Sequence, residues 1–156
     1  MSELVNGQRN HVTRDGQEAV TVGLTSRILV VDDDPHFLRV LTRILSGENF
    51  LVTSAAAACD ALQLVKSTQF DLIISDLRMP DCDGLSFIER LRQIGNNVPV
   101  IILTAYGEVD TYLAAMNAGA CEFLTKPMRS DELVRIVRCC LRSRGKCPYT
   151  PSSDSI

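Results

Sequence analysis

The chain alternates short, unbroken apolar runs with longer stretches whose apolar residues recur every three or four positions. Five short runs read as strands: residues 27–31, 50–54, 71–75, 99–103 and 121–124. ILVV, LII and VIIL show no alternation with polar residues. Continuous apolar runs of this length suit strands covered on both faces, as in a parallel sheet. The segments between them carry helical periodicity. In 35–46, Phe37, Leu38, Leu41, Ile44 and Leu45 make one stripe. Residues 58–67, 85–93 and 109–117 follow the same period, the last with Ala and Met in its apolar face. A final helix, 130–141, places Leu133, Val134, Ile136, Val137 and Cys140 or Leu141 on one side. It opens on SDEL, a start that resembles a capping box but lacks Glu at the fourth position.

Strand and helix therefore alternate five times, an order whose crossovers are right-handed. The fold expected is α/β: a doubly wound five-stranded parallel sheet flanked by five helices, in the flavodoxin-like order 2-1-3-4-5. Residues 1–25 are polar and aperiodic, with a hint of local structure at 19–24, and read as a flexible extension. Residues 144–156, rich in Pro and Ser, read as a flexible tail. Neither a repeat nor a second domain is visible.

Bulk properties narrow the field. The 156 residues amount to about one domain, and 46% hydrophobic with 22% charged residues is ordinary for a soluble fold. A formal net charge of -3 gives no general reason to bind nucleic acid or an anionic membrane. No apolar stretch approaches the roughly 20 residues of a membrane span, and the N-terminal stretch lacks the features of a secretion signal. A cytoplasmic location is the expectation. Six cysteines form no C-x-x-C pair, which argues against zinc and for reduced thiols acting as small hydrophobes; Cys147 lies in the polar tail.

Candidate chemistry lies where strands end. The first runs into Asp32-Asp33-Asp34, the third into Asp76, the fourth into Thr104-Ala105 and the fifth into Lys126-Pro127. In an open α/β sheet these carboxyl ends border one crevice. Adjacent carboxylates repel one another unless a cation intervenes. Mg²⁺ suits such a place, since it takes hard oxygen ligands and is held by one or two carboxylates with a substrate phosphate. Lysine is scarce here: Lys66, Lys126 and Lys146 are the only three, against thirteen arginines. An ammonium and a hydroxyl beside the cation would stabilise a transferring phosphoryl group. Asp76 stands alone at the end of a buried strand and is the best-placed nucleophile for an acyl phosphate.

The runs "ILVVDDDP", "DLIISDLRMPDCDG", "VIILTAYG" and "FLTKPMRSDEL" together resemble the receiver domains of two-component response regulators, similar to the chemotaxis-type single-domain receivers. The resemblance covers residues 26–143. It implies a phosphoacceptor, Asp76, charged from the phosphohistidine of a sensor histidine kinase or a phosphotransfer protein. It implies that Asp32, Asp33, Asp76 and the backbone carbonyl of Arg78 hold Mg²⁺, with Mn²⁺ as a substitute, Asp33 being the direct ligand of the acidic pair. Thr104 and Lys126 become the groups that bind the phosphoryl oxygens and share the catalysis with Asp76. Pro127 is expected to follow a cis peptide bond, and Asp34 to start the first helix. Phe123 falls at the switching aromatic, although a plain core role suits it as well.

Output would pass through the fourth helix, fifth strand and fifth helix to a protein target or a second copy of the chain, with no direct contact to nucleic acid or membrane. Arg78 and Tyr106 flank the phosphoryl position, where such residues tune its lifetime. Met79-Pro80 and Gly84 suit a shaped loop, Gly84 by supplying unusual backbone angles. His36 reads as a surface residue, and Arg135, Arg138, Arg142 and Arg144 as a solvated basic edge. The resemblance makes the protein a signalling switch that catalyses its own phosphorylation and dephosphorylation, not an enzyme in the metabolic sense. Two other readings stay open. One is a receiver-like scaffold that is never phosphorylated. The other is a haloacid-dehalogenase-type phosphatase, whose D-x-D-x-T/V signature meets His36 at its last position.

Overall fold

A computed structural model describes residues 25–143. The N-terminal extension and C-terminal tail, including Arg144, Cys147 and the segment 19–24, lie outside the described residues. The elements follow the order β1 (Arg27–Val31), α1 (Pro35–Gly47), β2 (Leu51–Ala55), α2 (Ala58–Ser67), β3 (Leu72–Ser75), α3 (Gly84–Gln93), β4 (Val100–Thr104), α4 (Val109–Ala118), β5 (Glu122–Thr125) and α5 (Ser130–Arg142). All strand pairs are parallel, in the order β2-β1-β3-β4-β5. The expected doubly wound sheet is the one observed.

Alternation along each strand divides the core into two layers. Leu29, Val31, Ile73, Val100, Ile102 and Phe123 point to one side, where Phe87, Ile88 and Leu91 of α3 cover them. Ile28, Val30, Ile74, Ile101, Leu103 and Leu124 point to the other, against Leu41 and Leu45 of α1 and Leu133, Ile136 and Val137 of α5. Because both faces are covered, β3 and β4 are buried at every residue, which is why their sequences do not alternate. Among the described residues no helix is long and apolar enough to cross a membrane.

Four strands sit up to one residue later than the apolar runs suggest. Pro99 shows the cause. It has no N–H for the ladder, and it serves instead through its carbonyl, which accepts from the Ile73 N–H at 2.9 Å. α5 starts at Ser130 as expected, but Arg129 occupies the cap position and no side chain caps the helix. SDEL is therefore already helical, so Asp131 and Glu132 favour the first turn through the helix dipole rather than through a capping box.

The face that α4 buries is narrow: Ala115 is fully inside and Met116 and Ala118 pack partly buried against the core, as the Ala and Met of its apolar face suggest, while Val109, Tyr112 and Leu113 are 74%, 43% and 52% exposed. The cysteines also divide. Cys82, Cys121 and Cys140 are buried as expected of small hydrophobes, but Cys59 is exposed and its N–H and that of Ala58 donate to the Asp81 carboxylate.

Glu122 is a buried carboxylate at the start of β5, and its one described hydrogen bond is accepted from the Phe123 N–H at 3.0 Å. Burial pushes its pKa above the usual carboxylate value, against the smaller opposing pull of that hydrogen bond. The folded state thus holds this proton more tightly than the unfolded chain. Stability falls as pH rises from about 4.3, the ordinary Glu value, through the raised folded value. Glu122→Gln is expected to melt higher than the parent at pH 7 and to lose the difference near pH 4. Melting curves across that window check the sign; an equal or lower melting temperature for the variant at pH 7 would contradict it.

Candidate functional site

Parallel pairing brings the polar strand ends to one edge. Val31 lies opposite Ser75, so Asp32 and Asp76 leave neighbouring strands at the same level. Thr104 lies opposite Thr125, and the Lys126 N–H donates to the Thr104 carbonyl at 2.8 Å. The Asp76 N–H donates to the Val31 carbonyl and the Asp32 N–H to that of Ala55, which fixes the backbone beneath both carboxylates.

The side chains form a pocket of fixed charge. Carboxylate oxygens of Asp32, Asp33 and Asp76 come within 4.8 Å of one another. Asp32 is 1% exposed; its Oδ1 accepts from the Asp34 N–H and its Oδ2 from Lys126 Nζ at 2.8 Å. Lys126 Nζ stands 3.8 Å from Asp76 Oδ2. Asp76 Oδ1 accepts from the Leu77 N–H at 2.7 Å. Partial burial raises the Asp76 pKa, and the neighbouring Asp32 charge raises it further. Lys126 and the Leu77 and Arg78 backbone N–H groups pull the other way without cancelling the rise. Three carboxylates against one ammonium leave an excess of two negative charges, and oxygen donors with that excess fit a hard divalent cation. Asp33 is exposed, so this pocket is open to water.

Thr104 is fully buried at the end of β4. Its Oγ1 accepts from the Tyr106 N–H at 3.2 Å, which leaves the hydroxyl proton to be donated elsewhere. Arg78 lies with its guanidinium 4.1 Å from the centre of the Tyr106 ring, so the two flanking residues touch each other across the mouth. Phe123 is not among the carboxylates. It is buried beneath α4, with Tyr112 edge-on at a centroid distance of 5.8 Å. The Lys126–Pro127 bond is cis. Asp34 caps α1, its Oδ1 accepting from the His36 and Phe37 N–H groups, and His36 is exposed. Arg138 of the basic edge pairs with Glu48 at 2.6 Å.

Two residues have roles that the sequence did not point to, one in the pocket and one in the loop that follows Asp76. Phe37 places its ring 3.8 Å from Lys126 Nζ, giving the ammonium an aromatic face opposite its acids. Periodicity marked Phe37 only as one more apolar position of the helix stripe. Asp81, in the loop after Asp76, supplies the cap of α2 that Ala57 cannot. A capping carboxylate 22 residues away leaves no local signature.

Gly84 has a role other than the one expected. Its φ is not in the left-handed region, where among the described glycines only Gly95 and Gly119 lie. Space is the constraint: a Cβ on Gly84 would stand 2.6 Å from the Asp76 carbonyl oxygen and 3.1 Å from Ile102 Cδ1. Gly84→Val therefore forces α3 away from the backbone of Asp76. The expected cost is about 3 kcal/mol of stability, at the upper end for overpacking, with weaker Mg²⁺ binding. Denaturant unfolding and Mg²⁺ titration of the variant check both, and parental values in each would refute the packing argument.

The sequence and fold are similar to those of known proteins. The family described as the response regulator receiver domain matches residues 28–138. The transcriptional regulatory protein PrrA of Mycobacterium tuberculosis is 42% identical over 135 residues, which cover 86% of this chain and 58% of that protein. The two-component response regulator ORR24 of Oryza sativa subsp. japonica is 38% identical over 139 residues, covering 83% of this chain and 22% of that one. The chain thus spans only part of the curated relatives it matches. Among solved structures, a CheY-like receiver domain protein from Methanospirillum hungatei aligns with a TM-score of 0.74 at 28% identity, covering 79% of this chain and 98% of that one. The receiver domain of the Francisella response regulator 1452 aligns at 0.73 and 30% identity, covering 77% and 99%.

Proposed function

Because this chain belongs to the response regulator receiver domain family of two-component signalling, we propose that Asp76 is its phosphoacceptor. We take the receiver unit to be residues 26–143, with 1–25 and 144–156 as extensions. The single observation that carries the reading is the pocket in which Asp32, Asp33 and Asp76 surround one side of a space and Lys126 closes the other.

Asp76 Oδ1 is engaged by the Leu77 N–H, so Oδ2, facing Lys126, is the attacking oxygen. It forms the new O–P bond as the P–N bond of a partner's phosphohistidine breaks and the imidazole leaves with the bonding pair. Lys126 and the Thr104 hydroxyl receive the phosphoryl oxygens. Asp32, Asp33, Asp76 and the Arg78 carbonyl are the residues that would hold Mg²⁺. When bound, that ion supplies a counter-charge for the carboxylates and the transferring group. Asp32 stays buried and paired, which orients Lys126. The haloacid-dehalogenase reading meets His36 where its signature has Thr or Val, and Asp34, the second Asp of that signature, caps α1.

After transfer, the Thr104 hydroxyl turns toward the phosphoryl group, and Phe123 moves into the space it vacates. Support comes from the burial of both side chains and from the Tyr112 edge that Phe123 would leave. The output face is α4-β5-α5, where Val109, Tyr112 and Leu113 stand exposed beside a groove of about 730 Å³ lined in part by Phe123, Thr125 and Arg129. Its partner is a downstream protein or a second copy of the chain, and the upstream partner is a sensor histidine kinase or phosphotransfer protein.

The cation reading is checked by thermal melting. Mg²⁺ at a hundredfold excess over its Kd is expected to stabilise the parent by about 2.7 kcal/mol, and chelation to reverse this. Asp33→Asn, which keeps the side chain's shape, is expected to lose most of the gain. An equal gain in Asp33→Asn would remove Asp33 from the ligand set.

A further inference from the structure

We propose that Cys121 and Cys140 form a reversible disulfide that staples the start of β5 to the last turn of α5. Cys121 precedes β5 by one residue and Cys140 lies in α5, 19 positions further on. Both belong to the core layer shared by α1 and α5, at 8% and 0% exposure. The Cys121 thiol donates to Cys140 Sγ across 2.9 Å. A disulfide bond is about 2.05 Å long, so less than about 1 Å of approach separates the thiols from a bond. The sequence read these residues only as two apolar positions, because neither falls in a recognisable cysteine motif.

The oxidant is a small hydroperoxide, and Cys121, the less completely buried of the two, is the thiol it meets first. The Cys121 sulfur attacks the hydroperoxide oxygen; an S–O bond forms, the O–O bond breaks, and the leaving oxygen departs with the thiol proton. The Cys140 sulfur then attacks the Cys121 sulfur. An S–S bond forms, the S–O bond breaks, and the oxygen leaves as water with the Cys140 proton. Two thiols and one hydroperoxide thus give one disulfide, one water and one alcohol, or a second water if the oxidant is hydrogen peroxide. A small thiol reverses the bond by exchange.

The pair lies at the opposite end of β5 from Lys126, which follows Thr125. The staple is therefore independent of the phosphoacceptor reading, and the two fail separately. Its consequence is mechanical. It ties together two of the three elements of the α4-β5-α5 face and restricts the unfolded chain, so that oxidised protein melts about 10 °C higher.

The experiment treats the full chain with hydrogen peroxide, unfolds it, alkylates it with iodoacetamide and measures intact mass and peptide maps. The expected result is a loss of about 2 Da before alkylation, alkylation of four of the six cysteines, and one cross-linked peptide pair joining Cys121 to Cys140. Dithiothreitol restores all six. Cys121→Ser and Cys140→Ala should each abolish the cross-link, while Cys59→Ser and Cys139→Ser retain it. Oxygen addition without a cross-link, pairing with another cysteine, or six alkylated cysteines in the treated parent would overturn the proposal. The parent's own peptide map decides the matter even if a core variant fails to fold.

Discussion

Asp76→Asn is expected to abolish the phosphorylated state while leaving the fold intact. The amide keeps the size of the carboxylate and can still accept from the Leu77 N–H through its oxygen. It has no anionic oxygen with which to form an acyl phosphate. The same change removes a charge that its surroundings disfavour, since partial burial and the neighbouring Asp32 raise the Asp76 pKa despite Lys126. In chelator, the variant should therefore melt above the parent, and Mg²⁺ should narrow or reverse the gap by favouring the parent's carboxylate. Mass analysis after incubation with a phosphodonor, with melting curves in chelator and in Mg²⁺, reads both effects. A variant that still carries the phosphoryl group would place the acceptor elsewhere.

Lys126→Met is the second large effect. The ammonium lies 2.8 Å from Asp32 Oδ2, 3.8 Å from Asp76 Oδ2 and 3.8 Å from the centre of the Phe37 ring. Methionine preserves much of the apolar stem against Phe37 but leaves Asp32 buried without its counter-charge. Breaking a buried pair on one side costs about 3 kcal/mol. Catalysis should suffer more. Loss of a positioned donor at a developing oxyanion slows reaction about 10²-fold or more. Mg²⁺ affinity should move in the opposite direction, since the competing cation is gone, and bound Mg²⁺ should restore part of the lost stability. Single-turnover phosphorylation at saturating Mg²⁺ separates these. An unchanged rate would remove Lys126 from the chemistry, whatever the variant's stability.

Much of this arrangement was legible before the structure, and the reason is topological. Parallel strands covered on both faces write themselves as unbroken apolar runs, and the residue after each run must lie at one edge. The positions of Asp32, Asp76, Thr104 and Lys126 follow from that rule alone. What escaped depends on contacts between distant segments. Phe37 touches Lys126 from a helix 89 residues earlier in the chain. Asp81 caps a helix that precedes it. Gly84 owes its small size to the backbone oxygen of Asp76, a neighbour visible only once α3 is docked.

The exposure of α4 teaches the same lesson from the other side. Its period is helical and its residues apolar, but the side that a helix buries depends on what packs against it. Periodicity carries no sign for that choice, so it did not show that Val109, Tyr112 and Leu113 stand in water. The start of α5 at Ser130 was legible, but the identity of its cap was not, for a related reason. Arg129 already has extended cap geometry, and its side chain pairs with Asp131 without bonding the helix end.

The proposed chemistry of the carboxylate pocket is acceptance of a phosphoryl group on Asp76. Intact-mass analysis after incubation with Mg²⁺ and acetyl phosphate tests it most directly. One adduct of about 80 Da is expected, labile to hydroxylamine, dependent on Mg²⁺, and mapping to Asp76. A parent protein that stays unmodified under these conditions and with a cognate kinase, or an adduct that persists in Asp76→Asn, would contradict it.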